Sequence, residues 1–184
     1  MTSYRPICDV WFLARAKLKG GRKFYGAYLG GFPERARVLI GASINDPVLH
    51  VCGGMAKHYP YAGGFGPNDK TLDLDPATEP DYLQDARDEL PDCPGESVWW
   101  RHLLIDPPYS EVDAEKYAPG RDKYPTPNAL LRQAMAALEI GGRVGLIHYQ
   151  LPACPKNAKF VAAIGVLCGF NNRIRCFSVF ERTS

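Results

Sequence analysis

Four consecutive residues, Asp106-Pro107-Pro108-Tyr109, combine a carboxylate, two rigid prolines and a phenol ring. They directly follow the apolar run Leu103-Leu104-Ile105, so we expect them at the carboxyl end of a buried strand, where open α/β sheets bind their ligands. Asp106 and the Pro107 carbonyl would accept hydrogen bonds from an exocyclic amine, and Tyr109 would stack on a planar base. The same four residues also occur as an ordinary turn after a strand, so the string alone leaves both interpretations open.

Short apolar runs alternate with amphipathic stretches along the chain, which predicts an α/β fold with a mainly parallel, doubly wound, Rossmann-like sheet. The last run alternates regularly, as expected of a terminal strand that pairs antiparallel. We expect strands over residues 48–52, 72–74, 82–85, 102–105, 143–148 and 173–182. Three helices are expected: one beginning at Pro33, one capped by Asn128 and ended by Gly141-Gly142, and one over residues 156–168.

The composition is that of a globular protein: of 184 residues, 46% are hydrophobic and 23% charged, which predicts a single domain over residues 1–184. No apolar run approaches the roughly 20 residues that a membrane span needs, and the first residues lack a signal-peptide pattern. Six cysteines are scattered without a Cys-x-x-Cys pair, and the four histidines are scattered too, so we expect no metal site. These features favour a cytoplasmic protein with reduced thiols and no membrane contact.

Charge is distributed unevenly, although the net charge is only +2. Residues 1–40 carry eight basic and two acidic side chains, whereas residues 69–92 carry two basic and nine acidic ones. This asymmetry predicts a basic face for phosphates, although a solvated surface that binds nothing gives the same pattern. The candidate nucleic-acid contacts lie in a basic N-terminal arm (1–30) and a substrate loop (110–127): Lys17, Lys19, Arg22, Lys23, Tyr117, Arg121, Lys123 and Tyr124.

The string at 106–109 resembles the catalytic motif of amino-methyltransferases, which transfer a methyl group from S-adenosylmethionine to an exocyclic nitrogen, and its Asp form is most similar to the adenine-N6 enzymes. Two upstream segments resemble other motifs of that family. Phe32-Pro33-Glu34 is similar to the motif that opens a helix beside the cofactor, and His50-Val51-Cys52-Gly53-Gly54 is similar to the first-strand motif. In the latter, the first three residues replace the usual Asp, Pro and Phe, whereas the glycines that let a cofactor approach the backbone are present.

Acidic residues at the next two strand ends complete the expected cofactor site. An acid about twenty residues after a glycine turn can accept hydrogen bonds from ribose hydroxyls, and Asp73 is the first choice for this role, with Asp75 as the alternative. Asp85-Ala86 resembles the third motif of the family, in which the Asp accepts a hydrogen bond from the adenine amine of the cofactor. The resemblance therefore implies S-adenosylmethionine as the cofactor, held by residues of four segments: Phe32, Pro33, His50, Val51, Cys52, Gly53, Gly54, Asp73, Asp75, Asp85 and Ala86.

The function implied by this resemblance is N-methylation of a nucleic-acid base, with adenine N6 in DNA as the first choice. Its catalytic residues would be Asp106, Pro107, Pro108 and Tyr109. An RNA base methyltransferase would use the same four residues. A noncatalytic nucleic-acid-binding or partner subunit would keep the fold with a decayed cofactor site. Because the chain has no long target-recognition segment, a second copy in a homodimer or a partner subunit could supply sequence recognition.

Overall fold

The computed structural model describes residues 5–16, 27–58, 64–95, 98–117, 124–169 and 173–184. Three helices lie in these ranges: α1 (Phe32–Ile40), α2 (Glu111–Tyr117) and α3 (Pro127–Ala137). The strands of the described residues are β1 (Ile7–Arg15), β2 (Leu29–Gly30), β3 (Val48–Val51), β4 (Lys70–Asp73), β5 (Tyr82–Leu83), β6 (Trp100–Ile105), β7 (Leu138–His148), β8 (Ala158–Cys168) and β9 (Ile174–Arg182).

All nine of these strands form one sheet in the order β2-β1-β8-β9-β7-β6-β3-β4-β5. Strands β5, β4, β3, β6 and β7 are parallel, and β9 is antiparallel to both of its neighbours, β7 and β8. The mainly parallel Rossmann-like sheet with an antiparallel terminal strand is thereby confirmed. From β3 the chain builds outward to β4 and β5, then returns to place β6 on the other side of β3. This reversal is the topological switch point at which such sheets bind ligands.

Helices cover both faces of the sheet and bury its apolar side chains. On one face, Phe32 and Ile40 of α1 pack in a cluster with Trp11 of β1 and Phe177 of β9. On the other face, α3 packs in a cluster with Trp100 and other residues of β3, β6 and β7. Each fully buried large side chain contributes about 1.5–3 kcal/mol through removal of its apolar surface from water. The two clusters therefore fix the ends of β3 and β6 relative to each other.

The expected helix at Pro33 is confirmed, and the helix at Asn128 differs from its expected bounds. Thr126, not Asn128, caps α3, because its hydroxyl accepts a hydrogen bond from the Ala129 amide at 3.3 Å. The helix ends at Ala137, and the next residue, Leu138, already belongs to β7. The expected stop at Gly141-Gly142 was wrong, because these glycines lie inside the strand that the helix enters without a loop.

The helix expected over residues 156–168 was wrong, because this segment is strand β8. Its buried residues alternate along the second half, at Ala162, Ile164, Val166 and Cys168, which is the period of a strand. Strands β1 and β2 also had not been predicted, and β8 pairs in parallel with β1 and antiparallel with β9. The residues between β7 and β8, 149–157, contain no helix.

Strand β1 lies within the expected basic N-terminal arm, so its residues are part of the sheet. The candidate nucleic-acid contacts of that arm, Lys17, Lys19, Arg22 and Lys23, lie outside the described residues. Helix α2 occupies part of the expected substrate loop (110–127), while Arg121 and Lys123 also lie outside the described residues. None of the helices in the described part of the chain is long and apolar enough to cross a membrane.

Candidate active site

Four side chains that can take part in chemistry lie close together where parallel strands end. Cys52 follows β3, Asp73 ends β4, Asp85 lies two residues after β5, and Asp106 follows β6. Burial raises the pKa of the Cys52 thiol, and the nearby carboxylates of Asp73, Asp106 and Asp85 raise it further. The structure thus brings together three acids that were selected from separate motifs, at the carboxyl edge of the sheet.

The turn after β3 is tight and is braced on β4. Cys52 adopts a left-handed backbone with φ of 55°, and a side chain at Gly53 would place its Cβ only 2.8 Å from the His50 carbonyl oxygen. The Gly54 amide donates a hydrogen bond to Asp73 Oδ2 at 2.8 Å. Glycine at position 53 is therefore required by the turn itself, and the turn fixes the orientation of Asp73.

The two candidate ribose acids differ in what they contact. Asp73 accepts hydrogen bonds from the amides of Gly54 and Asp75, and burial raises its pKa despite these bonds. Asp75 instead caps the short 3-10 turn at Pro76–Thr78, where its Oδ1 accepts from the Ala77 amide at 2.9 Å. Asp73 therefore faces the glycine turn, whereas Asp75 is committed to its own loop. The contact of either acid with a ribose stays a prediction.

Asp85 already has a cation beside it. The Arg87 guanidinium donates to both of its carboxylate oxygens, with Nε at 3.0 Å from Oδ1 and Nη2 at 2.7 Å from Oδ2. The neighbouring Ala86 side chain is buried in the core. An adenine amine would have to share the Asp85 carboxylate with Arg87. The role of Asp85 in cofactor binding therefore stays a prediction.

The segment 106–109 lies beside the end of β3. The Asp106 amide donates to the Val51 carbonyl at 3.2 Å, which ties the two strand ends together at the switch point. The Tyr109 hydroxyl donates to Asp106 Oδ1 at 2.7 Å. Burial raises the pKa of Asp106 to about 6, although the Tyr109 hydroxyl and the positive charge of Arg175 both lower it. Asp106 is therefore a half-buried carboxyl with only one side-chain donor among the described residues.

Tyr109 is surrounded by three residues that sequence analysis did not select. Its ring centre lies 5.5 Å from that of His148, edge to face, and 4.7 Å from that of Tyr149. The guanidinium carbon of Arg175 lies 5.3 Å from the same ring centre. The ring is thus enclosed in a cluster in this structure, and its expected role of stacking on a substrate base stays a prediction.

The position of these neighbours follows from the sheet. His148 ends β7, which lies next to β6, so its place at the same edge could have been inferred from strand order. Arg175 lies in β9, where Cys176 pairs with His148. Because β9 is antiparallel, its first residues reach the edge where the parallel strands end. Only the register of the sheet reveals this, and the local sequence around Arg175 carries no signal for it.

His148 is neutral in this environment. Its Nδ1 accepts a hydrogen bond from the Gln150 amide at 2.9 Å, which places the proton on Nε2. Burial lowers the pKa of His148, and the Pro108 carbonyl nearby opposes this shift. Among the described residues, Nε2 of His148 forms no hydrogen bond of normal geometry. His148 therefore supports the segment 106–109 as a neutral side chain.

The remaining candidate cofactor residues lie in the interior. Phe32 packs against Trp11 and Phe177 and is 1% exposed, and Pro33 and Val51 are also buried. His50 is completely buried, with Nε2 at 3.1 Å from Asp69 Oδ2 and Nδ1 at 3.3 Å from the Tyr28 hydroxyl. Both ring nitrogens of His50 thus have protein partners. Their contact with a cofactor stays a prediction.

The candidate nucleic-acid contacts that the structure describes are two tyrosines. Tyr117 ends α2 and is half-buried, and Tyr124 is also half-buried. Their contact with substrate stays a prediction. Among the described residues, no group of three or more side chains could hold a metal ion.

No family profile matches the sequence, and no curated protein sequence matches it. Solved structures do resemble it. TrmN from Thermus thermophilus is similar over 85% of this chain and 50% of its own, with 20% identity and a TM-score of 0.59. HI0767 from Haemophilus influenzae, a candidate methylase, covers 94% of this chain and 99% of its own, with 12% identity and a TM-score of 0.53.

The candidate methyltransferase yhhF from Escherichia coli is similar to the same extent, with a TM-score of 0.52, 11% identity, and coverage of 94% of this chain and 98% of its own. The chain therefore spans half the length of the TrmN chain and nearly all of the other two. At these identities the likeness establishes the fold, which is the Rossmann-like fold of methyltransferases.

Proposed function

We propose that this chain is an S-adenosylmethionine-dependent methyltransferase that acts on an exocyclic amine of a nucleic-acid base, with adenine N6 in DNA as the first candidate substrate. The observation that carries the proposal is the hydrogen bond between the Asp106 amide and the Val51 carbonyl, 3.2 Å long. It holds the candidate catalytic carboxyl directly beside the glycine turn of β3. A methyl donor bound at that turn would therefore lie within reach of a base bound at Asp106.

The residues around the turn suit the cofactor. Asp73 has each carboxylate oxygen bonded to one backbone amide, which leaves lone pairs for the two ribose hydroxyls. The amides and small residues at Gly53-Gly54 leave room for the methionine portion. S-adenosylmethionine would supply an electrophilic methyl carbon at this place, and the protein has to orient the attacking nitrogen toward it.

Asp106 and Pro107 would activate the amine. The lone pair of an exocyclic base amine is delocalised into the ring, so hydrogen bonds from its two hydrogens to a carboxylate and a carbonyl favour a more nucleophilic nitrogen. They also stabilise the positive charge that develops on the nitrogen. With the pKa of Asp106 at about 6, the carboxylate form predominates at pH 7.5. Tyr109 holds one carboxylate oxygen, which leaves the other for the substrate.

Two observations favour a noncatalytic alternative. His50 stands where the resembling family has an acid and is enclosed in a hydrogen-bonded network, and Asp85 is paired with Arg87. A partner subunit with a decayed cofactor site would have these features. Binding of S-adenosylmethionine separates the two functions, because only the enzyme requires it.

The experiment combines cofactor binding with methyl transfer. Isothermal titration of the wild-type protein with S-adenosylmethionine should give heat, and incubation with DNA and RNA followed by nucleoside mass spectrometry should give N6-methyladenine. Asp106→Ala should abolish transfer and keep cofactor binding, whereas Asp73→Asn should weaken binding at least tenfold. Asp75→Asn is the matched control on the same loop and should change both by less than twofold.

Each outcome discriminates between candidates. Methylation of RNA alone would assign the RNA alternative, and absence of cofactor heat would favour the noncatalytic subunit. Full turnover by Asp106→Ala would reject the role of Asp106, and a loss of binding in Asp75→Asn as large as in Asp73→Asn would reverse the assignment of the ribose acid.

A further inference from the structure

Arg175 occupies an unusual place for a cation. Its guanidinium carbon lies 5.3 Å from the ring centre of Tyr109, and its positive charge acts on Asp106. Its Nε is buried and has no hydrogen-bond partner, and among the described residues Arg175 forms no ion pair. An unpaired buried donor costs about 1–3 kcal/mol. Packing alone does not explain an arginine here, since a long apolar side chain would cover the same ring without that cost.

The contacts link Arg175 to the carboxyl through one ring. Tyr109 donates its hydroxyl to Asp106 Oδ1 at 2.7 Å, and Arg175 lies over the ring that carries this hydroxyl. His148 meets the same ring with its edge, and Tyr149 lies beside it. Movement of the ring would therefore change the hydrogen bond to Asp106. Arg175 is the only cation on this ring in the described part of the chain.

Among the residues that the structure describes, the other titratable groups around Asp106 carry no positive charge. Cys52 of the β3 turn faces it and is a neutral thiol, since burial raises its pKa. Asp73 and Asp85 at the ends of β4 and β5 surround the same thiol and bring negative charge. His148 is neutral because burial lowers its pKa. Arg175 thus supplies the positive charge that favours an ionised Asp106.

We propose that Arg175 is a positioning residue of the active site: it holds the Tyr109 ring so that its hydroxyl stays on Asp106, and it keeps that carboxyl in the form that accepts hydrogen bonds from the substrate amine. This role rests on the proposed function for its consequence in methyl transfer. The contacts that carry it are independent of any substrate.

The matched control lies two residues away on the chain. Arg173 has the same charge but contacts Tyr149, with its guanidinium carbon 5.9 Å from that ring centre and its Nη1 at 3.4 Å from the hydroxyl oxygen. Arg175→Met removes the charge over Tyr109 and keeps an apolar cover. Arg175→Lys keeps the charge and loses the planar group. Arg173→Met removes a charge of the residue just before β9, which does not lie over Tyr109.

The decisive measurement is a pH titration of the Asp106 carboxyl by carbon-13 NMR, with Asp106→Asn to assign its signal. Arg175→Met should raise the Asp106 pKa by about half a unit or more, because a nearby positive charge is lost. Arg173→Met should leave it unchanged, and Arg175→Lys should fall between wild type and Arg175→Met. If Arg175→Met does not fold, as judged by circular dichroism, the Arg175→Lys titration carries the test.

Equal Asp106 titrations in wild type and the Arg175 variants, or an equal shift in Arg173→Met, would overturn the role of Arg175. Methyl transfer gives the second measurement. Arg175→Met should lower kcat more than tenfold at pH 6.5 with a smaller change in KM, and part of the loss should be recovered at pH 8.5. If the wild-type protein transfers no methyl group to any nucleic acid, the proposed function fails, and the NMR titration still decides the link between Arg175 and Asp106.

Discussion

Two aspartates of this molecule, Asp69 in the core and the half-buried Asp106, are surrounded by the same residue types and differ in the hydrogen bonds that they accept. Asp69 lies with Arg37, His50 and Tyr28 beneath α1, and Asp106 lies with Arg175, His148 and Tyr109 at the sheet edge. For Asp69, burial alone would raise the pKa, but hydrogen bonds from His50, Arg37 and the Gly66 amide lower it. For Asp106, a single side-chain donor does not offset burial, and the pKa rises to about 6.

The difference distinguishes Asp69, whose hydrogen bonds serve the fold, from Asp106, which can still accept a hydrogen bond from a ligand. Asp69 accepts from the Gly66 amide at 2.7 Å and the Val48 amide at 3.2 Å as well as from Arg37 and His50, so little of its capacity is left for a ligand. Among the described residues, only one oxygen of Asp106 accepts a side-chain hydrogen bond, at the switch point of the sheet. Residue types alone do not distinguish these two sites, whereas the count of donors around each carboxylate does.

The largest expected effect is on folding. Asp69→Asn removes the charge that pairs with buried Arg37 and disrupts bonds to two elements, so we expect a loss of about 3–5 kcal/mol in the free energy of unfolding. Because the pKa of Asp69 is lowered in the folded state, its stabilisation is present above pH 4 or so and is lost as pH falls. Urea denaturation at pH 7.5 measures it.

Asp46→Asn is the control for that variant. Asp46 is also an acid with a lowered pKa, but it accepts its bond from the Ser43 amide on the surface. We expect less than about 1 kcal/mol from its loss. An equal loss in both variants would show that the buried network below α1 contributes no special stability.

At Asp106 we expect the opposite change in the free energy of unfolding. Asp106→Asn should raise the free energy of unfolding at pH 7.5 by an amount on the order of 2 kcal/mol, because ionising a buried carboxyl with a raised pKa destabilises the folded state. The destabilisation is absent below the unfolded pKa of about 4 and complete above about pH 6. Melting curves of wild type and variant should therefore converge at pH 4 and separate between pH 4 and 6.5.

A constant difference in melting temperature from pH 4 to 8 would contradict this explanation. It would mean that the gain comes from packing of the amide and not from removal of a charge. The variant also loses methyl transfer if the proposed function is right, so stability and activity would change in opposite directions at the same residue.

The sequence predicted the position of Asp106 but not the residues that surround it. An apolar run followed by Asp106-Pro107 is a local pattern, and so is the glycine turn at Gly53-Gly54, so both were found at the correct strand ends. Arg175 and His148 come to Asp106 through the pairing of β6, β7 and β9, which is a property of the whole sheet. Non-local pairing has no counterpart in a short window of residues.

The buried network around Asp69 was missed, and the helix at 156–168 was wrongly predicted, for related reasons. From the sequence, Asp69 is only one acid of the acidic stretch 69–92, because its partners Arg37 and His50 lie far from it in sequence. In β8, Phe160, Ile164 and Leu167 fit a helical stripe, while the alternation of buried residues from Ala162 to Cys168 fits a strand. Pairing with β1 and β9 decided in favour of the strand, and β1 itself had not been predicted.

The smallest expected effect is on the pH dependence of methyl transfer, and it tests the comparison at Asp106 itself. Methyl transfer should depend on the carboxylate, so kcat should rise with pH through about 6 in the wild type. Tyr109→Phe removes the one side-chain donor to Asp106 and keeps the ring, so the midpoint of this rise should move to higher pH, by less than about one unit. Tyr149→Phe is the control, because its hydroxyl contacts Arg173 and not Asp106, and it should leave the midpoint in place. A Tyr109→Phe midpoint at or below that of the wild type would mean that the hydroxyl does not assist ionisation of Asp106, and the number of donors would then not explain its pKa.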